Sequence, residues 1–147
     1  MNNHRMVDGV EVLLTDEEQA EFDARVAEHF STQQVQTRLK SALATHRYSV
    51  ANGGTNLFGF ALRTDDTSRA NLMAAFLMAS TDPTYTVQWK TENGFVTLDA
   101  AMVKALATGV AAFVQKCFTV EATLAASISQ YATNADVISA FDNAMKG

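Results

Sequence analysis

The stretch that decides the fold is YTVQWKTENGFVTLDAAMVKALATGVAAFVQKCF, residues 85–118, because its apolar period changes halfway along. Apolar and polar residues alternate from 85 to 89, which is typical of a half-buried strand. Asn93-Gly94 favours a hairpin turn, since both turn positions need positive φ. After Asp99, which can cap a helix, apolar residues recur at steps of three and four. The stretch therefore predicts a hairpin that leads directly into a helix.

That helix is expected to be long and to continue to about residue 131. Its apolar stripe has two uses: it packs inside one domain, or it forms a seam with the same helix of a second copy, which leaves a homo-oligomer open. The stripe consists of Met102, Leu106, Gly109, Phe113, Cys117, Val120, Leu124, Ile128 and Tyr131.

The N-terminal residues predict a second hairpin followed by a second long helix. Asp8-Gly9 lies between short β-favouring runs and predicts the turn. Thr15 is a candidate N-cap, and Glu18 stands three residues later, the spacing of a capping box. A helix is expected from about 16 to 45. Its apolar stripe slips by five residues after Phe30, so a kink or a second cap near Ser31 is expected there.

The middle of the chain and its C-terminus complete the outline. Residues 46–63 lose the helical period and predict a hairpin or an extended loop around Asn52-Gly53-Gly54. Asp65 and its neighbours are candidate caps for a helix that stops near Ser80. A last short helix is expected after Thr133 or Asn134. The expected class is α+β: short antiparallel hairpins packed with three or four helices, with a docking arm over residues 1–45 and a packed domain over residues 46–147.

Composition and charge limit the classes of function. Of the 147 residues, 48% are hydrophobic and 18% are charged, as in ordinary globular domains. Residues 1–31 contain eight acidic residues and two arginines, a net charge of −6. No basic stripe exists to neutralise phosphates, so nucleic acid is not an expected partner. The apolar runs look too short to span a membrane, and the single cysteine favours a cytoplasm.

The candidate chemical sites all have simpler structural interpretations. Trp89 could stack on a ligand, but packing in a core is the more common use of a tryptophan. Cys117 stands in the middle of a helix with no histidine nearby in sequence, and so it predicts a buried apolar residue rather than a nucleophile. Asp65 and Asp66 could bind a cation with Asp82, although helix capping accounts for them. No catalytic residue, cofactor site or metal site is expected.

Five segments of the second half, in this order, resemble a domain of unknown function that recurs in bacteriophage tail proteins. The resemblance covers roughly residues 46–142, with Phe113 at a position where that pattern often has a histidine. The segments are TDDTSR (64–69), WKT (89–91), NG (93–94), FVTLDAA (95–101) and VAAFVQ (110–115). The opening MVDGVEVLLTDEEQAEF is similar to that of small tail and fibre-assembly proteins.

The resemblance implies a non-enzymatic component of the phage tail, at the baseplate or the fibre attachment region. Such a protein is made in the host cytoplasm and resides in the virion, where its partners are other tail, baseplate or fibre proteins. A tail-fibre assembly chaperone that is not retained in the virion is the alternative. The residues expected to bind the partner are Met6, Val7, Val10, Val12, Phe22, Val26 and Phe30.

Overall fold

The structure, a computed structural model, describes residues 4–91 and 93–147 and confirms the expected α+β class. Its strands pair as three antiparallel hairpins. They are β1 (His4–Val7) with β2 (Val10–Leu13), β3 (Thr55–Leu57) with β4 (Phe60–Leu62), and β5 (Thr86–Thr91) with β6 (Gly94–Asp99). The α-helices are α1 (Asp16–Asn52), α2 (Asp66–Thr81), α3 (Ala100–Ala126) and α4 (Asn134–Lys146), and a short 3-10 helix covers Ile128–Gln130.

The helix caps expected from the sequence are confirmed. Thr15 and Thr133 each complete a capping box at the start of α1 and α4. The carboxylates of Asp65 and Asp99 accept backbone N–H groups in the first turns of α2 and α3. These caps satisfy N–H groups that the helices themselves cannot, and so they determine where each helix begins.

Helix α3 organises the core, because its two halves face two different hydrophobic clusters. The first half packs with α2, β4 and β6, and Trp89 lies half-buried against this cluster. The second half packs with α1 and α4 around Cys117 and Phe141, neither of which is exposed. The core use of the predicted stripe is therefore observed at Leu106, Cys117 and Leu124. Pairing with a second copy stays a prediction.

The expected end of α1 near residue 45 is wrong, and the hairpin expected over residues 46–63 begins only at Thr55, with its turn at Phe58-Gly59 rather than at Asn52-Gly53-Gly54. Helix α1 continues unbroken to Asn52, without a second cap near Ser31. Tertiary contacts override the local pattern: Ala51 is buried, and two side-chain pairs join this last part to the C-terminal half of the chain. The pairs are His46 Nε2 with Asp142 Oδ1 at 2.6 Å and Arg47 Nε with Glu121 Oε2 at 2.8 Å.

The end of α3 also differs from expectation, and the expected domain boundary falls inside a helix. Helix α3 ends at Ala126 rather than near 131, because Ser127 leaves helical geometry (φ −110°, ψ 24°) and the 3-10 helix follows. The division of the chain at residue 45 falls inside α1, where Leu43 is fully buried in the second cluster. That division stays a prediction, although the helix crosses it without a break.

Helix α3 also changes the assessment of membrane-spanning segments. Among the residues that the structure describes, it is long and apolar enough, by length and composition alone, to cross a bilayer, contrary to the expectation that every apolar run is too short. A core helix that is mostly buried meets the same criteria, whereas 22% of the most apolar window of α3 is buried. Here α3 packs against helices and strands on several sides.

Candidate docking surface

The residues considered for chemistry serve the fold. Cys117 is fully buried, and loss of hydration raises the pKa of its thiol, which disfavours the reactive thiolate. Asp65 caps α2, Asp66 pairs with Arg69, and the carboxylate of Asp82 accepts the backbone N–H of Thr84 at 2.8 Å. Each carboxylate therefore has a structural partner.

The Asn52-Gly53-Gly54 segment has a structural role, and the described residues contain no group of candidate metal ligands. Gly53 is the C-cap of α1, and the backbone N–H of Gly54 donates to the hydroxyl of buried Thr64 at 2.9 Å. Within residues 4–91 and 93–147, no three histidine, cysteine, aspartate or glutamate side chains are grouped as metal ligands.

The largest feature without a role in the core is the N-terminal part, which we call the arm (residues 4–34); residues 35–91 and 93–147 are the body. The arm comprises the β1–β2 hairpin and the first half of α1, whose residues 20–34 are all exposed. At 1.5 Å per residue, the helical part of the arm is about 28 Å long. Helices in proteins are stabilised mainly by packing an apolar face. The helical part of the arm differs from this general case, because it presents its apolar residues to solvent.

The hairpin at the tip of the arm is joined to the start of α1. Arg5 forms an ion pair with Glu18, and Glu18 also accepts the backbone N–H of Thr15. Cross-strand pairing puts Val7 beside Val10, and both side chains are exposed. The hairpin is thus attached to the helix by polar contacts while its apolar side chains remain accessible.

The helical part of the arm has an apolar stripe that lines a shallow groove. Phe22, Val26 and Phe30 recur every four residues and are 39%, 37% and 58% exposed, and Arg25 and His29 line the same groove. Side chains four apart lie on one face of a helix, so the three form a continuous strip.

The stripe of the arm and the buried stripe of the body lie on different faces of α1. At about 100° per residue, Leu39 and Leu43 lie about a third of a turn around the helix from Val26. The slip of five residues after Phe30 is therefore a change of face within one uninterrupted helix. The arm presents its apolar residues in a direction that the body does not cover.

All seven residues expected to bind a partner lie exposed in the arm; their contact with a partner stays a prediction. Sequence reasoning missed Leu13, the last residue of β2, which is exposed next to them. It also missed apolar residues exposed on the body. These are Tyr48, Phe58, Met73, Leu77, Met78, Phe95 and Phe118. An apolar pattern gives the spacing of such residues and not the neighbours that would cover them.

The comparison with known families matches the body. Residues 34–144 match the family model of DUF4376, a domain of unknown function. The match begins where α1 passes from the arm into the core. No curated protein and no solved structure matches the chain.

Proposed function

The chain belongs to the DUF4376 family, and we propose that it is a non-enzymatic structural component of a bacteriophage tail that binds other tail proteins through its arm. The tail assignment is supported by the resemblance of the segments between residues 64 and 115. The docking role is supported by the geometry of the arm.

The observation that carries the docking role is the exposed stripe Phe22, Val26 and Phe30 on a helix that extends beyond the core. Burial of one such side chain contributes roughly 1.5–3 kcal/mol. A partner that covered this stripe would gain part of that energy, because these side chains are 37–58% exposed, and would also stabilise the arm helix. A helix laid in an apolar groove is a common form of protein recognition.

The absence of enzymatic activity belongs to the same proposal. The cysteine is buried with a raised pKa, and the carboxylates of Asp65, Asp66 and Asp82 are held in caps, ion pairs and turns. A tail enzyme that degrades peptidoglycan would clear a zymogram of cell wall, and we expect this protein to leave the zymogram unchanged.

Mass spectrometry of gradient-purified virions tests the proposal directly. Peptide intensities are scaled to a tail protein of known copy number in the same particles. A stoichiometric amount is the expected result. Absence from particles, with abundance in the infected-cell lysate, would replace the structural role by that of the assembly chaperone.

Single substitutions then test the arm. We expect Phe30→Ala to fold normally but to enter particles poorly, because it removes the most exposed aromatic of the stripe. Phe95→Ala is the matched control, since Phe95 is 70% exposed but lies on the body. Equal incorporation of the two variants would refute docking through the arm.

The same assay extends to the hairpin and the first turn of the stripe. Val12→Asp and Phe22→Ala are expected to fold and to fail in attachment. Loss of folding in either variant would instead assign that residue to the stability of the chain.

A further inference from the structure

The two borders of the arm stripe differ in their ionisable side chains. Counting about 100° per residue from Val26, Asp23 and Asp16 lie about 60–80° to one side. His29 and Arg25 lie on the other side, where they line the groove with the stripe. Carboxylates therefore border one edge of the stripe. The other edge carries Arg25 and His29 together with Glu18, whose carboxylate is already paired with Arg5.

Three other acidic residues of the arm helix lie away from the stripe. Glu17, Glu21 and Glu28 fall about half a turn from Val26 by the same count. They give the arm much of its net negative charge, but they do not border the apolar contact. The charge that a partner would meet at the stripe is consequently different from the charge of the arm as a whole.

We infer that the partner of the arm is a different protein whose apolar groove has lysine or arginine along one rim and aspartate or glutamate along the other. The inference deepens the proposed function and depends on it. Complementary charges at the rim of an interface align the partners and speed their encounter, while the apolar centre supplies most of the affinity. The polarised rims fix the direction in which the helix lies in the groove.

A second copy of this chain fits the stripe poorly. In an antiparallel pair centred on Val26, like borders meet, so Asp23 faces Asp23 and Arg25 faces Arg25. A parallel pair brings unlike borders together, but it also brings together two acidic first turns, residues 16–18. The apolar stripe is also shorter than the three or four heptads that sustain a coiled coil.

Photo-crosslinking in infected cells tests the inference for a permanent or a transient partner. The chain carries p-benzoylphenylalanine in place of Phe30, and the yield of adduct with another protein is measured after irradiation. The first variant adds Asp16→Lys with Asp23→Lys, on the acidic border. Its matched control adds Glu17→Lys with Glu28→Lys, which changes net charge equally and also removes one carboxylate from the first turn.

We expect the border variant to lower the adduct about tenfold and the control variant by less than about twofold, from the energies of partly exposed charge pairs. Arg25→Glu separates rim polarity from net charge. It makes the arm more acidic, yet the polarised groove predicts that it weakens the adduct. Circular dichroism of each purified variant confirms that the helix is retained.

The outcomes separate the inference from the proposed function. Equal losses in the two lysine variants, or a stronger adduct with Arg25→Glu, would overturn the polarised groove and leave docking through the arm intact. An adduct between two copies of this chain would overturn the choice of partner. Absence of any adduct at position 30, with an adduct formed from position 95, would overturn both.

Discussion

The two halves of α1 differ in what stabilises them, although they are one helix. In the body, Leu39 and Leu43 are fully buried and tie the helix to α3 and α4. In the arm, residues 20–34 are all exposed, and stability comes from the Thr15 capping box, the acidic first turn and continuity with the anchored half. The comparison teaches that helix formation and helix packing are separable along a single element.

The largest expected effect is a difference between two phenylalanines. Phe141→Ala should lower the free energy of unfolding by about 3–5 kcal/mol, because the ring is fully buried and its loss leaves a cavity. Phe22→Ala, in the arm, should change it by less than about 0.5 kcal/mol, as for surface substitutions. Urea titrations of both variants measure the difference.

A comparable loss in the two variants would break the distinction between arm and body. It would mean that Phe22 is buried in the folded protein in solution. The wild-type titration also provides an internal control, since its slope reports the surface exposed on unfolding and should be shared by Phe22→Ala.

Local chemistry made much of the fold predictable. The caps at Thr15, Asp65, Asp99 and Thr133 depend on hydrogen bonds within three residues, so the sequence alone locates them. The Asp8-Gly9 turn follows the same logic, with φ values of 50° and 82°. These features need no knowledge of distant contacts.

The predictions were wrong where contacts between residues distant in sequence determine the local structure. Residues 46–52 look non-helical, but the pairs His46–Asp142 and Arg47–Glu121 hold them in α1. The slip after Phe30 suggested a kink or a second cap, and the structure shows one continuous helix whose apolar residues are exposed in the arm and buried, on another face, in the body. The exposure of the arm was predictable, because its sequence offers few apolar residues to a core. The position near residue 34 where the exposed part ends was not predictable, because it depends on contacts with α3 and α4.

One hairpin turn of the body departs from the turn chemistry of the arm. Phe58 has a φ of 52° and Gly59 one of 83°, so a phenylalanine occupies a left-handed position that Asp8 occupies in the arm. Phe58→Asn should raise the free energy of unfolding by about 1 kcal/mol, because left-handed backbone is costly for a bulky residue and tolerated by asparagine. Thermal unfolding measures the gain.

Asp8→Phe is the reciprocal variant and sharpens the comparison. It puts the same strain in the arm, where we expect loss of the β1–β2 hairpin without a change in the unfolding of the body. A destabilised body in Asp8→Phe would contradict the independence of the two regions.

A change of similar size, but confined to one helix end, is expected at the cap of the arm helix. Thr15→Ala removes the hydroxyl that accepts the backbone N–H of Glu18 at 3.3 Å. We expect a loss of about 1 kcal/mol of helix stability, confined to the arm. Hydrogen exchange should show faster exchange over residues 16–34 and unchanged exchange in α3.

Thr133→Ala is the control for that cap, since Thr133 completes the same type of box at α4 in the body. Its effect should appear in global unfolding, because α4 carries the buried Val137 and Phe141. Global destabilisation by Thr15→Ala as well would show that the arm unfolds together with the body.

The smallest expected effect depends on pH and compares acidic caps in the two regions. The backbone N–H and hydroxyl of Ser68, followed by Arg63, lower the pKa of Asp65 from 3.8 to about 2. A lowered folded pKa means that the charged cap contributes stability above about pH 3.8, and that this contribution is lost as pH falls toward 2. Asp65→Asn keeps an amide oxygen as the acceptor but cannot titrate. Urea titrations from pH 5 to pH 2 should therefore show a shallower fall in body stability for Asp65→Asn than for the wild type.

In the arm, hydrogen bonding to Thr15 likewise lowers the pKa of Glu18. Glu18→Gln should leave the pH dependence of body stability unchanged, because we expect the helix end that Glu18 stabilises to unfold independently of the core. A changed pH dependence of body stability would show that the arm and the body are coupled through α1.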